Sequence, residues 1–224
     1  MRRRHVGHPL AVATKTPRDA GPLLLLLAAA AALFAALALW LYLTNAEPGD
    51  GSAEAGFARD MSVHHAQAVE MAEIVRDKTE SEEVRIMAAD MALTQQGQIG
   101  RMQGWLDAWE LPATGAEPVM SWMGHPTEGR MPGMASPEEI ERLRNAPPEE
   151  AEVMFFRLMI PHHQAAVPMA EAVMEESDRP EVENLAGAIA ASQQGEIELM
   201  RKMLEERGAE APSGSHEDGH TRSH

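Results

Sequence analysis

A segment built around two adjacent histidines occurs twice in this chain, and this repeat constrains the fold more than any other feature. The first copy covers residues 61–73 and the second covers residues 159–171. One shift of 98 residues (159 − 61 = 98) aligns the copies, and the register holds without a gap over 57–106 and 155–204. We interpret the pattern as an internal duplication, in which one structural unit is built twice and the units share a core.

The duplicated segments carry the periodicity of amphipathic helices. Apolar and histidine side chains recur three and four positions apart over residues 57–78, which is typical of one helical face, and no stretch alternates as a strand does. The sequence predicts four long helices, over about 57–78, 79–109, 148–176 and 178–208. We therefore expect an all-α protein whose core is a four-helix bundle of the ferritin-like kind, formed by two duplicated helical hairpins.

Cap residues mark where these helices begin. Thr79, with Glu82 three positions on, predicts a capping box at the start of the second helix. Ser136, followed by Pro137 and two glutamates, predicts a short connecting helix that ends near Arg144. The segment between the hairpins, residues 113–136, is rich in Gly, Pro and Met and is expected to form a crossover loop.

The N-terminal segment predicts the compartment. Residues 1–22 form a basic, cytoplasmic N-terminus, and 23–43 is an uncharged run of 21 residues (43 − 23 + 1). A helix of that length spans a hydrocarbon core of roughly 30 Å, so we expect a transmembrane anchor that precedes the bundle. The alternative is a secretory signal peptide cleaved after Ala46, but its apolar region would run only about 7–15 residues. Positive charge before the run predicts a single-pass protein of the cell membrane with its C-terminal domain outside the cytoplasm. The expected organisation continues with a linker, 44–56, the bundle, 57–208, and a disordered tail that contains histidines, 209–224.

Composition narrows the classes of partner. The net charge is −16, and beyond residue 43 there remain 14 basic (19 − 5) and 34 acidic (35 − 1) residues. Such a surface repels nucleic acid, so no nucleic-acid partner is expected. The chain has no cysteine and 16 methionines. Any soft metal ligand must therefore be methionine or histidine.

The duplicated motif supplies a set of candidate metal ligands. Residues three, four and seven apart lie on one face of a helix, so each copy offers a Met/His/Met stripe. Imidazole and thioether bind soft and borderline metals, which makes copper the first candidate, Cu(I) more than Cu(II), although zinc or nickel could occupy an imidazole site. The candidates on the bundle are His64, His65, His162, His163, Met61, Met71, Met159 and Met169.

Structural roles compete with ligation at several of these positions. Methionines at helical spacing often fill a core, and we favour that role for Met87, Met91, Met102, Met200 and Met203. Met123 and His125 in the crossover loop are further candidates, but such a loop could instead fold back over apolar surface. The histidines of the tail are a weak metal collector or an ordinary solvated end.

The second copy also departs from the first. Pro161 and Pro168 fall inside its predicted helix, where the first copy has Val63 and Glu70. A proline inside a helix removes a backbone hydrogen bond and introduces a kink. We therefore expect the two halves to differ in geometry and in metal affinity.

Together these motifs resemble a known family. The paired His-His-x-x-Ala-Val-x-Met-Ala-Glu segments, the Gln-Gln-Gly-x-Ile segments at 95 and 193, and Met131-Pro132-Gly133-Met134 before the Ser136 cap resemble the domain of unknown function 305 (DUF305) family over roughly 57–207. The resemblance implies a ferritin-like helical bundle. It also implies copper binding at the paired histidines and flanking methionines, since some exported members bind copper and take part in copper resistance.

The sequence therefore predicts an exported, membrane-anchored protein that binds copper for sequestration or delivery. A copper chaperone or pump and a homo-oligomer are the protein partners left open. Catalysis is not expected, because the bundle has no Glu-x-x-His pair and the chain offers no phosphate loop or nucleophilic cysteine. The alternative is a membrane-tethered helical interaction module whose histidines are structural or sense pH.

Overall fold

The computed structural model describes residues 21–44, 46–210 and 212. Most of the predicted N-terminal segment 1–22 and most of the predicted tail 209–224 lie outside these residues. The chain divides into two compact units, Met1–Glu47 and Pro48–His224.

The described part of the first unit is one helix, α1, Gly21–Thr44. The apolar side chains of residues 24–40 are exposed, including Leu25 at 74% and Phe34 at 74%. Within the described part of the chain, no helix is both long enough and apolar enough to cross a membrane. The anchor over 23–43 stays a prediction.

The second unit is helical. Its elements are α2 (Ala53–Lys78), α3 (Glu82–Ala108), a 3₁₀ helix (Ser121–Met123), α4 (Pro137–Asn145), α5 (Pro148–Glu176) and α6 (Pro180–Glu206). Helices α2 and α3 form one hairpin, α5 and α6 form the other, and the hairpins pack together through α2 and α5. Among the described residues the only extended pairing is one isolated bridge between Val119 and Thr127. The prediction of an all-α helical bundle is confirmed, and its ferritin-like classification stays a prediction.

Two helix starts differ from the expected ones. Helix α2 begins at Ala53, capped by the Ser52 hydroxyl, so the linker 44–56 was predicted too long by one helical turn. Thr79 does not cap α3, because Ser81 takes that role by accepting a hydrogen bond from Val84 N. The Ser136 capping box is confirmed, with reciprocal bonds between Ser136 and Glu139.

Thr79 is used instead in a contact between the hairpins. Its hydroxyl donates to the buried Glu152 at the start of α5, and the other Glu152 oxygen accepts from Arg207 Nε at 2.8 Å. The 98-residue shift maps Thr79 to Ser177 and Glu152 to Glu54, and Ser177 Oγ donates to Glu54 at 3.0 Å. Each hairpin loop is thus tied to the first helix of the opposite hairpin. We call these two contacts the interhairpin latches.

The apolar core consists of two clusters. One contains Met71 and Met159, and the other contains Met61 and Met169. The methionines assigned to the core from their spacing are all buried: Met87, Met91, Met102, Met200 and Met203. Between the clusters along α2, α3, α5 and α6 lie buried polar side chains, which form the site described next.

The crossover loop folds back onto the bundle. Met120 and Met131 are only 6% and 3% exposed and belong to the second cluster. The Trp122 indole donates to the buried Asp60 carboxylate at 2.9 Å, as does the Met120 amide at 2.7 Å. The alternative that this loop folds back over apolar surface is therefore the one that the structure shows, and the buried Asp60 anchors it there.

Candidate metal centre

Four histidines meet where α2 and α5 cross. His64 and His65 come from α2, His162 and His163 come from α5, and each is 0% exposed. The His64 and His162 rings face each other with centroids 3.8 Å apart and planes inclined by 36°. Both members of each pair are buried, and the second member, His65 or His163, faces the second helix of its own hairpin.

Buried alanines flank the histidines and let the two helices approach. Ala68 lies one turn after His64, and Ala166 lies one turn after His162, both 0% exposed. The spacing of crossing helices depends on the side chains at their contact, so small residues here permit the rings to stack. Pro161 does not end α5, which continues as one helix to Glu176.

Two of the rings are held by side chains from the second helix of their own hairpin. His65 Nε2 lies 2.8 Å from Gln98 Oε1. His163 Nε2 lies 2.6 Å from Glu196 Oε2. The 98-residue shift that relates the histidines also relates Gln98 to Glu196. Each ring is therefore oriented from α3 or α6 by an equivalent contact, made by an amide in one half and a carboxylate in the other.

The four histidines form a buried polar layer together with Gln95 and Gln193. Many polar atoms in this histidine layer have no hydrogen-bond partner. Among the buried atoms without one are five ring nitrogens, together with both amide atoms of Gln95 and of Gln193. The five are the Nδ1 atoms of His64, His65, His162 and His163 and the Nε2 of His162. A buried polar atom without a partner costs about 1–3 kcal/mol, so native proteins seldom keep so many. A bound ligand or ordered water would satisfy this concentration of buried donors and acceptors.

Burial favours the neutral form of three of these imidazoles, His64, His65 and His162. It lowers the pKa of His64 to about 4 and the pKa of His65 to about 3, because a charged ring would lose its hydration. The pKa of His162 is also lowered well below its ordinary value, first by burial and then by the neighbouring histidines. A neutral imidazole has one unprotonated nitrogen, and that lone pair is what a metal requires.

The crossover loop covers one side of the histidine layer. The carbonyl of Pro132 lies 3.4 Å from His64 Nε2. Gly133, with φ of +76°, packs so closely on α5 that a Cβ there would come within 2.6 Å of Pro161 O. Gln67 pins the loop with two hydrogen bonds, Nε2 to Ala135 O at 2.9 Å and Ala135 N to Oε1 at 2.7 Å. The loop thus forms a lid over the His64/His162 pair.

The flanking methionines are buried on both sides of the histidine layer. Met71 and Met159 lie in one apolar cluster, and Met61 and Met169 lie in the other. In the crossover loop, Met123 is half-buried against the second cluster and His125 is exposed. The structure therefore brings the four histidines together and leaves His125 on the surface.

Sequence reasoning missed the polar side chains around the histidines. Gln95 and Gln193 are both 2% exposed, and Gln98 and Glu196 contact the rings. All four belong to the two Gln-Gln-Gly-x-Ile segments, whose repetition was the available signal. Within the described residues, no group of three or more histidine and carboxylate side chains is arranged to hold a metal ion. A metal in this layer would therefore need a rearranged ring, a thioether or an external ligand.

The family pattern described as "Domain of unknown function (DUF305)" matches residues 54–204. The chain belongs to the DUF305 family. Among curated proteins, no match to the chain was found. The prediction from the duplicated motifs is therefore confirmed at the level of the family.

Solved structures of this family resemble the bundle. A candidate secreted DUF305 protein from Streptomyces coelicolor is 47% identical, with a TM-score of 0.70, over 74% of this chain and 99% of that chain. A DUF305 fragment from Deinococcus radiodurans is 36% identical, with a TM-score of 0.57, over 69% of this chain and 96% of that one. CopM in its Cu(II)-bound form is 28% identical, with a TM-score of 0.54, over 69% of this chain and 97% of that chain. CopM has also been solved with Cu(I) and with silver bound.

Proposed function

We propose that this protein binds copper in the buried histidine layer between its two hairpins, for sequestration or delivery outside the cytoplasm. The observation that carries the proposal is the set of five buried ring nitrogens without hydrogen-bond partners. A metal ion coordinated by some of these lone pairs would offset the cost of leaving them unpaired. The role is one of binding, and we assign no catalytic step.

The chemistry of the surroundings favours Cu(I). Imidazoles that burial keeps neutral need not lose a proton before they bind a metal. The layer lies between two clusters that contain Met61, Met71, Met159 and Met169, and thioethers favour the soft Cu(I) ion. Since the chain has no cysteine, thiolate ligation is excluded. Zinc and nickel, which also bind imidazole, gain less from the thioethers.

Similarity to CopM supports the choice of metal. CopM, which has been solved with Cu(I), Cu(II) and silver bound, shares the bundle at 28% identity. Silver and Cu(I) are both soft monovalent ions, so the same donors suit both. The S. coelicolor relative, a candidate secreted protein, supports export. We propose that residues 23–43 anchor the protein in the membrane, which fractionation of cells before and after deletion of that segment tests.

The interaction-module alternative makes a different use of the histidines. A pH sensor that acts near neutrality needs a histidine that titrates between about pH 5 and 8. Burial has lowered the pKa of His64 to about 4 and that of His65 to about 3, below that window. For His64 and His65, metal binding is therefore favoured over pH sensing near neutrality.

An anaerobic titration of the full-length chain with Cu(I), against a competing chelator, tests the proposal. The His64→Ala/His162→Ala variant should lose the tightest binding, because it removes the stacked pair. The matched control is His216→Ala/His220→Ala, which removes two histidines from the tail and should keep that binding. Equal affinity of the wild type and the bundle variant, with both folded by circular dichroism, would rule out the histidine layer as the site.

A further inference from the structure

The two halves of the histidine layer differ at one contact that decides where a proton sits. His65 Nε2 contacts the Gln98 amide oxygen at 2.8 Å, and His163 Nε2 contacts the Glu196 carboxylate at 2.6 Å. Both contacts join residues 33 positions apart, and the 98-residue shift superposes one on the other. Gln98 and Glu196 occupy the variable position of the two Gln-Gln-Gly-x-Ile segments.

A carboxylate and an amide constrain a neutral imidazole differently. A carboxylate only accepts hydrogen bonds, so His163 must carry its proton on Nε2 to bond with Glu196. A glutamine amide accepts through its oxygen and donates through its nitrogen, so either tautomer of His65 can be satisfied after a flip of the amide. Position 196 thus fixes a tautomer that position 98 leaves open.

The surroundings hold Glu196 in this orientation. Ser192 Oγ, one turn earlier on α6, donates to the other carboxylate oxygen at 2.9 Å. The His163 side chain is 0% exposed, and that of Glu196 is 22% exposed. The carboxylate therefore bridges a serine at its outer side and a fully buried ring at its inner side.

The fixed tautomer leaves one atom of His163 for a ligand. With the proton on Nε2, the lone pair lies on Nδ1, which is buried and has no hydrogen-bond partner. A carboxylate bonded to the distal N–H of a metal-binding histidine orients the ring and raises its basicity as a ligand. We propose that Glu196 is a positioning residue that commits His163 to bind through Nδ1, so that the half of the site on α5 and α6 binds copper more tightly than the half on α2 and α3. This inference rests on the proposed function.

The tautomers can be read without metal. Long-range ¹H–¹⁵N correlation spectra of the labelled, metal-free full-length chain distinguish an Nε2–H from an Nδ1–H imidazole, at about pH 8, where an ordinary imidazole is neutral. The wild type should show His163 as pure Nε2–H. Glu196→Gln should give a mixture, and Gln98→Glu should convert His65 to pure Nε2–H. Glu198→Gln removes the same negative charge from an exposed position two residues away, and it should leave the His163 spectrum unchanged.

Cu(I) titration of the same variants tests the consequence. Loss of an orienting partner of this kind typically weakens metal binding by about 10–100-fold, so Glu196→Gln should lose at least about 10-fold in affinity while Glu198→Gln keeps it. Gln98→Glu should raise the Cu(I) affinity of the half on α2 and α3. A wild-type His163 that carries its proton on Nδ1, or a Glu196→Gln variant that binds Cu(I) as the wild type does, would overturn the inference and leave the proposed function standing. A wild type that binds no Cu(I) would contradict both the inference about Glu196 and the proposed copper-binding function.

Discussion

The hairpin of α2 and α3 and the hairpin of α5 and α6 share a buried polar layer and differ in what surrounds it. Each contributes two adjacent histidines and one buried glutamine, Gln95 or Gln193. Each is also tied to the other by an interhairpin latch. The features common to both halves are those that place two helices and four rings together.

The differences lie around this layer. Glu196 replaces the neutral Gln98 beside the ring, and Gln67, which pins the lid, corresponds to an alanine at position 165. Phe156 occupies the position of Ala58. A single chain that contains both halves can specialise them, because one half can hold the lid while the other orients a ligand. The comparison therefore teaches that the buried layer is built by the pair of hairpins and by neither hairpin alone.

The shared layer should make the metal-free protein sensitive to acid. The folded state lowers the pKa of His64, His65 and His162 below the unfolded value of about 6.5, so the unfolded chain takes up protons first as the pH falls. The stability from these neutral rings is fully present above about pH 6.5 and is lost as the pH falls toward about 4. The expected slope is on the order of 1 kcal/mol per pH unit for each ring.

Urea denaturation at successive pH values measures this slope. His65→Gln removes one titrating ring and should make the slope shallower by about a third. Replacement of the exposed His125 by alanine is the control and should keep the wild-type slope. A free energy of unfolding that does not change between about pH 6.5 and 4.5 would contradict the neutral, buried state of the rings.

The two halves also differ in their packing at Phe156, which occupies the position of Ala58. The ring is 0% exposed, and the Arg207 guanidinium lies 5.3 Å from its centroid. Phe156→Ala restores the residue of the first half but leaves a cavity, so it should cost about 3–5 kcal/mol of unfolding free energy. Leu199→Ala, at a side chain 39% exposed, is the comparison and should change stability by less than about 0.5 kcal/mol. Equal midpoints of Phe156→Ala and Leu199→Ala in chemical denaturation would show that position 156 is loosely packed.

The latches should be unequal in strength. Glu152 is 7% exposed and is shared by Thr79 and Arg207, whereas the equivalent Glu54 is half-buried and bonds to Ser177. Glu152→Ala removes the acceptor shared by Arg207 Nε and the Thr79 hydroxyl and should cost about 2–3 kcal/mol, while Glu54→Ala should cost about 1 kcal/mol. Thermal unfolding of both variants measures the difference. The reverse order of melting temperatures would mean that the two contacts are not energetic equivalents.

Much of this organisation could be predicted from local pattern. The helical periodicity located α5 to within a residue, and the Ser-Pro-Glu-Glu signature located the capping box of α4. The duplication predicted that the two copies of the histidine motif share one core. Patterns of this kind depend on residues within a few positions of each other, which sequence displays directly.

The remaining features depend on contacts between distant segments. Thr79 has the local signature of an N-cap, but the buried Glu152, 73 positions away, takes its hydroxyl. Asp60 gave no sign that it would anchor the Met-rich loop 60 positions later. Glu196 was one carboxylate among 35 acidic residues. Such choices are set by tertiary packing, which overrides local preference.

Loosening the lid should have the smallest expected effect on stability. This effect is confined to the first half, because Gln67 on α2 pins the lid. Gln67→Ala removes both hydrogen bonds to Ala135 and copies the alanine at position 165, so it should cost about 1 kcal/mol of global stability. Amide exchange at Ala135 should accelerate, whereas exchange within α5 should keep its wild-type rate, because the lid opens without the bundle. Gln164→Ala on α5 is the control, since among the described residues the Gln164 side chain makes no hydrogen bond to the lid. If exchange accelerated equally throughout α2 and α5, the loop would be an integral part of the bundle and not a separate cover.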